Sequence, residues 1–292
     1  MGHREIVNHV NKILEEYPFP LTVRQIFYRL VSEGVIPNTV SSYKMLSKIL
    51  VRAREQGDID DSKIEDRSRQ VLGLGDWGYD NIEGFIESQV EMLKRSWMYW
   101  TRKLWTSQPK SVVVVLEKDA LSRLVSESAD KYRVQVFVTR GYGSYTYVKD
   151  LAKRIGVNNK PTVILYLGDY DPSGRDIERD LTERLRRYGA ENFEVRRVAL
   201  TKEQIHMYSL PPRPEDIATL EKLERDPRTR RYGMDYACEL DALDPRLLQT
   251  LIEDAIVSNI DMKIWNETLE KIEKEKEELK QKLERIKIVF ES

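Results

Sequence analysis

The stretch SVVVVLE at residues 111–117 decides the fold class of this chain. Its four consecutive valines and one leucine form a short, uninterrupted apolar run, which is typical of a strand buried on both faces of a parallel sheet. Three later stretches have the character of strands: VQVFVT (134–139), TVILYLG (162–168) and FEVRRVAL (193–200). Helical stretches lie between them, at 121–129, 148–155 and 175–188. Because strands alternate with helices, residues 111–200 predict a parallel, doubly wound α/β domain.

The composition restricts the class of protein. The chain has 292 residues, of which 40% are hydrophobic and 33% are charged. No apolar run approaches the roughly 20 residues that a membrane-spanning helix needs, and the N-terminal sequence lacks the apolar stretch of a signal peptide. A single cysteine, Cys238, excludes an internal disulfide and a cysteine-based zinc site. We therefore expect a soluble, cytoplasmic protein with no membrane partner.

Residues 1–70 predict a small helical domain that binds DNA. Apolar spacing indicates three helices, the second capped by Thr22 and the third by Ser41 or Ser42, followed by a segment compatible with a short hairpin. This order is typical of a winged helix-turn-helix domain, whose third helix lies in the DNA major groove. The net charge of the whole chain is −1, but residues 22–54 have six basic side chains and one acid. The predicted third helix carries four of the basic residues, Lys44, Lys48, Arg52 and Arg54. We expect it to bind double-stranded DNA, the alternative being a protein-interaction module.

The other segments are helical or irregular. Residues 71–110 predict a linker and then an aromatic, basic helix, whose tryptophans could stack on bases but are more typical of a core. Residues 201–260 are less regular, and we expect them to complete the α/β domain. Over residues 261–292 apolar side chains recur at alternating intervals of four and three residues, which is typical of a coiled-coil seam. This charged helix could pair with a second copy or fold back on the body, and we favour folding back.

Three carboxylates are expected at one edge of the predicted sheet. Functional groups of open α/β sheets gather at the carboxyl ends of the strands. Glu117 ends the first strand, while Asp169 and Asp171 follow the third strand within GDYDPSG (168–174). In extended backbone, side chains two residues apart point to the same side. A hard divalent cation such as Mg²⁺ would relieve the repulsion among the three carboxylates. The alternative is that Asp-x-Asp-Pro-Ser-Gly makes only a turn and a helix cap.

These stretches resemble a known protein family. VVVVLEKDALSRL (112–124), RGYGS (140–144) and GDYDPSGRDI (168–177) are similar to the Toprim domain of type IIB topoisomerase A subunits and of the related meiotic double-strand-break transesterase. In that group a winged helix precedes the Toprim domain and carries a nucleophilic tyrosine in an Arg-x-x-x-Tyr context. VRQIFYRL (23–30) has Arg24 and Tyr28 at those positions. The resemblance covers roughly residues 20–185, with a departure at Ser144-Tyr145, where the family usually has Pro-Asp.

The resemblance implies a DNA-breaking transesterase. Tyr28 would attack a phosphodiester and form a protein–DNA linkage. Arg24, which shares a helical face with Tyr28, would stabilise the phenolate and hold the phosphate. Mg²⁺ would bind Glu117, Asp169 and Asp171. The resemblance also implies a homodimer with sites shared between protomers. The chain has no Walker A stretch, so ATP-driven strand passage is not expected from this chain by itself, and the sequence leaves open a partnership with a separate ATPase B-type subunit.

Two other functions remain open from the sequence. In a Toprim nuclease, metal-activated water would replace Tyr28 as the nucleophile. In a DNA-binding accessory protein, the same residues would carry no catalysis. Phe27 and Tyr28 are also compatible with ordinary packing residues of a small helical domain.

Overall fold

The structure, a computed structural model, describes residues 2–65, 78–158, 160–214, 226–234 and 236–285. The chain divides into two compact units. Met1–Ser68 and Ser111–Asn259 form the first unit, and Arg69–Lys110 and Ile260–Ser292 form the second. Within the described ranges, no helix has the length and apolar character that crossing a membrane requires.

The N-terminal part of the first unit consists of the three predicted helices. They are α1 (His3–Glu16), α2 (Val23–Ser32) and α3 (Val40–Glu55). Thr22 caps α2 as predicted, because its hydroxyl accepts a hydrogen bond from the Gln25 amide at 3.1 Å. The predicted cap of α3 was wrong: Thr39 is the cap, and its hydroxyl accepts from the Ser42 amide at 3.1 Å.

The segment expected to form a hairpin is only partly described. Residues 61–63 form a 3₁₀ turn, which is followed by a two-residue strand, β2 (Ile64–Glu65). This strand pairs in parallel with β1 (Leu21–Thr22), so its partner is the chain just before α2. Residues 66–71, the remainder of the expected hairpin, lie outside the described residues.

A four-stranded parallel sheet forms the centre of the first unit, which confirms the α/β class. Its strands are β3 (Ser111–Leu116), β4 (Gln135–Val138), β5 (Thr162–Leu167) and β6 (Phe193–Ala199). Their order is β4–β3–β5–β6, and all three pairings are parallel. The two central strands, β3 and β5, are the two most apolar stretches of the sequence, as expected for strands covered on both faces.

Three helices link the strands of the sheet: α5 (Ser122–Asp130), α6 (Tyr145–Asn158) and α7 (Pro172–Arg187). Three described helices follow the last strand: α8 (Lys202–Met207), α9 (Pro227–Tyr232) and α10 (Pro245–Val257). Side chains of α6 and α7 bury one face of the sheet, in a cluster that includes Val115, Ile164 and Tyr166. Helix α10 packs against α5 and β6, so it belongs to the same unit as the sheet.

The second unit contains α4 (Ile82–Arg95) and α11 (Met262–Glu284). The aromatic helix expected within residues 71–110 is shorter than predicted, because α4 ends at Arg95 and Ser96–Tyr99 form a 3₁₀ turn. Aromatic and β-branched residues, which are abundant after residue 96, are weak helix formers. Helix α11 packs on α4 and on this turn, and Trp265 packs edge-on against Trp105 with ring centroids 5.7 Å apart. The last two apolar positions of the predicted seam, Ile286 and Phe290, lie outside the described residues.

Candidate functional site

The carboxyl ends of β3 and β5 lie side by side, and each leads into a predicted site residue. Leu116 and Leu167 are register partners, and the Glu117 amide donates to the Leu167 carbonyl at 2.9 Å. Burial, together with the charges of Asp169 and Asp171, raises the pKa of Glu117 to about 7. Burial also raises the pKa of Asp169 to about 6. The fold thus brings two mutually repelling carboxylates into a poorly solvated position.

Both carboxylate oxygens of Asp171 accept hydrogen bonds. One carboxylate oxygen accepts from the Gly174 amide at 2.6 Å and caps α7, and the other accepts from Arg213 Nη1 at 2.8 Å. The helix-cap interpretation of the sequence is therefore correct for Asp171. Its negative charge still acts on Glu117, where it contributes to the raised pKa.

The chemistry of this carboxylate pair fits a hard divalent cation. Mg²⁺ is usually bound by one or two protein carboxylates and keeps several waters. Glu117 and Asp169 supply such oxygens, and a cation would stabilise their charged forms against burial. Among the side chains that the structure describes, no group of three or more His, Cys, Asp or Glu residues lies close enough together to hold a metal. Asp171 therefore contributes charge near the pair while its oxygens serve the cap and Arg213.

Two glycines make room for the Glu117 carboxylate. A Cβ at Gly168 would lie 2.5 Å from Glu117 Oε2 and 2.8 Å from Tyr166 Cε1. A Cβ at Gly174 would lie 2.4 Å from the Asp169 carbonyl oxygen and 3.2 Å from Glu117 Oε2. These glycines were not predicted to have a role, although their position at both ends of GDYDPSG was an available signal.

Arg197, on β6, holds the backbone of this loop and was missed by the sequence analysis. Its guanidinium donates to the carbonyls of Gly168 at 3.1 Å, Asp169 at 3.2 Å and Gly174 at 3.1 Å. It also lies 5.0 Å from the centroid of the Tyr166 ring. Arg197 lowers the pKa of Glu117, and so partly offsets the effect of burial.

An acidic segment, residues 239–244, connects the sheet edge to α2. The Leu240 amide donates to Asp169 Oδ1 at 2.8 Å. Glu239 Oε2 lies 3.0 Å from Arg24 Nε and 3.3 Å from Lys118 Nζ, and Lys118 also pairs with Asp241. Lys118, Glu239 and Asp241 were not predicted, although ELDALD (239–244) carries three acids in six residues.

Arg24 and Tyr28 lie on α2, one helical turn apart. The Arg24 guanidinium lies 4.5 Å from the centroid of the Tyr43 ring, in addition to its pairing with Glu239. Tyr28 is fully buried, and within the described part of the chain its hydroxyl has no hydrogen-bond partner. Burial and the charge of Glu239 raise the pKa of Tyr28, whereas Arg24 lowers it. Arg24 therefore acts on Tyr28 in the direction that the sequence analysis expected, but burial outweighs it in this conformation.

The four basic residues predicted to bind DNA are not equivalent. Lys44, Lys48 and Arg52 are exposed on α3 and follow one another at intervals of four residues, so they share a face. Arg54 is half-buried, and its Nε lies 3.7 Å from Asp61 Oδ1. Three exposed cations thus remain for contact with a phosphate backbone.

The first unit therefore combines three chemical capacities. Its coupled carboxylates suit a divalent cation, its arginine and lysine side chains suit phosphate oxygens, and Tyr28 has a nucleophilic hydroxyl. Comparison of the chain with models of known protein families finds no match, and comparison with curated proteins finds none either.

Proposed function

We propose that this protein is a Mg²⁺-dependent, DNA-cleaving transesterase that resembles the A subunits of type IIB topoisomerases, with a winged-helix domain followed by a Toprim domain. One observation supports this most directly. Arg24, on the face of α2 that carries Tyr28, is linked through Glu239 to the segment that contacts Asp169. The proposed nucleophile, its cation and the proposed metal ligands thus belong to one region of one compact unit. The proposal includes double-stranded DNA as the substrate, a homodimer and a separate ATPase B-type subunit.

In the proposed reaction each residue has a distinct role. The Tyr28 oxygen forms a bond to phosphorus and its phenol proton leaves to solvent, while the bond from phosphorus to the 3′ oxygen breaks and that oxygen takes up a proton from solvent to give a 3′-hydroxyl. Arg24 stabilises the phenolate and neutralises a non-bridging oxygen of the phosphate. Glu117 and Asp169 would hold Mg²⁺, with Asp171 adding negative charge, and the chemistry supplied by the ion when bound would be Lewis-acid stabilisation of the leaving oxygen.

The burial of Tyr28 adds a requirement to this proposal. A phosphodiester cannot reach a hydroxyl that is shielded from solvent, so the residues that cover Tyr28 must move before attack. In a dimer this movement would have a function, because it would allow Tyr28 to act on DNA held by the partner's carboxylates.

The same burial favours a second candidate, a Toprim-type nuclease. In that case a bound metal would supply an activated water as the nucleophile, and Tyr28 would be a packing residue. Glu117 and Asp169 keep their proposed role, and no protein–DNA linkage forms.

Cleavage of supercoiled plasmid distinguishes the two candidates and supplies the first prediction. The protein is incubated with plasmid and Mg²⁺, the reaction is stopped with detergent, and half of each sample is treated with protease before electrophoresis. We expect cut DNA that enters the gel normally only after protease, and we expect Tyr28→Phe to abolish both cutting and linkage. The change removes a hydroxyl that has no hydrogen-bond partner among the described residues and keeps the ring, so folding should be retained.

Tyr147→Phe is the matched control, because its hydroxyl is also buried without a partner in the described structure. This variant should cut and form the linkage like the parental protein. If Tyr28→Phe cuts at the parental rate, the transesterase is excluded. Cutting that Asp169→Asn abolishes, with no linkage in any sample, would establish the nuclease instead.

A further inference from the structure

A cavity of about 340 Å³ opens beside the carboxylate edge of the sheet. Its walls include Tyr170, Lys202, Ile205, His206, Leu210 and Tyr236. None of these residues has a role in the proposed cleavage chemistry.

The cavity is one residue along the chain from Asp169, a proposed metal ligand. Tyr170 lies between Asp169 and Asp171, and its backbone pairs with Cys238 through two hydrogen bonds of 2.9 Å. The cavity therefore adjoins the short stretch of chain that carries Asp169.

Hydrogen bonds hold the walls of the cavity in place. The Tyr236 hydroxyl donates to the Leu210 carbonyl at 2.6 Å. At the start of α8 the Gln204 amide donates to Thr201 Oγ1 at 3.3 Å, and Gln204 Nε2 donates to the Val198 carbonyl at 2.8 Å. The site is thus preformed, which lowers the cost of ordering it around a ligand.

The lining matches the chemistry of a nucleotide. Tyrosine rings stack on nucleobases of any identity, and aliphatic side chains such as Ile205 exclude water from the base. Lys202 and His206 are exposed at the rim, where they can contact a phosphate. The volume is near the lower end of small-molecule pockets, which run from about 300 to 1,000 Å³, so it suits a single nucleotide and excludes a duplex.

We propose that this cavity binds one unpaired nucleotide of the DNA strand, adjacent to the phosphodiester that is cut; the assignment of the strand rests on the proposed function. Base stacking on Tyr170 and Tyr236 and phosphate contact with Lys202 hold the nucleotide. Because removing a base from a duplex costs free energy, the site prefers DNA whose base is already unpaired.

Fluorescence of 2-aminopurine tests the proposal without cleavage. The probe is placed either in a single-stranded overhang or inside the duplex of the same oligonucleotide, and the full-length protein is titrated in the presence of EDTA. Stacking should quench the overhang probe and leave the duplex probe unchanged. Tyr170→Ala should weaken the affinity for the overhang about tenfold, whereas Tyr170→Phe should keep it, since only the ring is needed.

Tyr208→Ala is the matched control, because Tyr208 is exposed just after α8 and does not line the cavity. Circular dichroism of each variant verifies its fold. Equal affinities for Tyr170→Ala, Tyr208→Ala and the parental protein would overturn the proposal. Competition by free dAMP at the concentration at which the overhang binds would also overturn it, because the ligand would then be a free nucleotide.

The same titration in Tyr28→Phe separates this site from the proposed reaction. Quenching that survives in Tyr28→Phe supports the nucleotide site whether or not that variant cuts DNA. If a protein that still forms the tyrosine linkage does not quench the overhang probe, the nucleotide site is excluded while the proposed function is retained.

Discussion

Glu117 and Asp169 carry ionisable groups in surroundings that disfavour their charged forms. The pKa of Glu117 rises from 4.5 to about 7, so the folded protein binds more protons than the unfolded chain between these pH values. The free energy of unfolding of the metal-free protein therefore falls as the pH rises through this range, and the whole penalty is present above about pH 7. A bound cation would remove much of that penalty.

The second prediction concerns this coupling between protons and metal. Because Mg²⁺ competes with protons for the carboxylates, it should raise the thermal midpoint more near pH 8 than near pH 5.5. Glu117→Gln removes the buried charge, so it should stabilise the metal-free protein near pH 8 by on the order of 1–3 kcal/mol and abolish the effect of Mg²⁺. Thermal melts at the two pH values measure both effects. If Mg²⁺ raised the thermal midpoint equally at both pH values, the result would contradict the proposed metal site.

The third prediction compares two glycines in helices. Gly174→Ala places a methyl group 2.4 Å from the Asp169 carbonyl oxygen, so it should destabilise the protein by about 1–3 kcal/mol. In the described part of the chain, a Cβ at Gly156 in α6 meets no atom within 4 Å beyond the adjacent helix backbone, so the higher helix propensity of alanine should stabilise the protein by about 0.5–1 kcal/mol. Urea denaturation gives both values. If both substitutions changed the free energy of unfolding in the same direction, the close approach to the Asp169 carbonyl would not restrict the residue at position 174.

Helix α3 has distinct sides. Leu46, Ile49 and Leu50 are buried in the first unit, while the basic face of Lys44, Lys48 and Arg52 is open to solvent. The apolar side anchors the helix, so charge can be removed from the other side with little effect on folding. Substitutions on this face therefore test binding rather than stability.

The fourth prediction uses that face. Lys48→Ala or Arg52→Ala should weaken binding to all DNA sequences alike and reduce the salt dependence of the affinity by about one phosphate contact each. Lys153→Ala, at an exposed position of α6, is the control and should leave the slope unchanged. Fluorescence anisotropy over a range of salt concentrations measures the slopes. Parental slopes for both α3 variants would indicate that this helix does not face DNA.

At the scale of the whole molecule, the proposed dimer determines which chain supplies each part of the site. Within one chain Arg24 pairs with Glu239, while the Tyr28 hydroxyl is shielded from solvent. In the proposed dimer, α2 of one protomer would leave its contact with Glu239 of its own chain, and Tyr28 would then be exposed to DNA held by the other subunit.

The fifth prediction tests this arrangement by mixing two inactive variants. Tyr28→Phe and Asp169→Asn are each expected to be inactive, but a mixed dimer has one site with an intact tyrosine and intact carboxylates. The mixture should therefore nick supercoiled plasmid, since only one strand can be cut by each mixed dimer. Gel electrophoresis after protease treatment reports the nicks. A mixture as inactive as its components would show that Tyr28 and the carboxylates act within one chain.

Much of the α/β architecture could be predicted from local sequence. The apolar runs of β3 and β5 and the amphipathic stretch of α7 are properties of neighbouring residues, and the structure confirms them. The approach of Glu117 to Asp169 was also predictable, because neighbouring parallel strands end at the same edge. The chain after residue 96 was predicted less well, since its apolar spacing is compatible with a helix while its aromatic residues favour a turn.

The sequence by itself determined the α/β class, the position of the carboxylates at the strand ends and the face shared by Arg24 and Tyr28. Only the tertiary structure decided that Glu239 pairs with Arg24, that Arg197 holds the loop around Asp169, and that Tyr28 is buried. The physical reason is the separation along the chain. Periodicity and capping depend on residues a few positions apart, whereas these contacts join distant segments whose meeting depends on how the helices and the sheet pack.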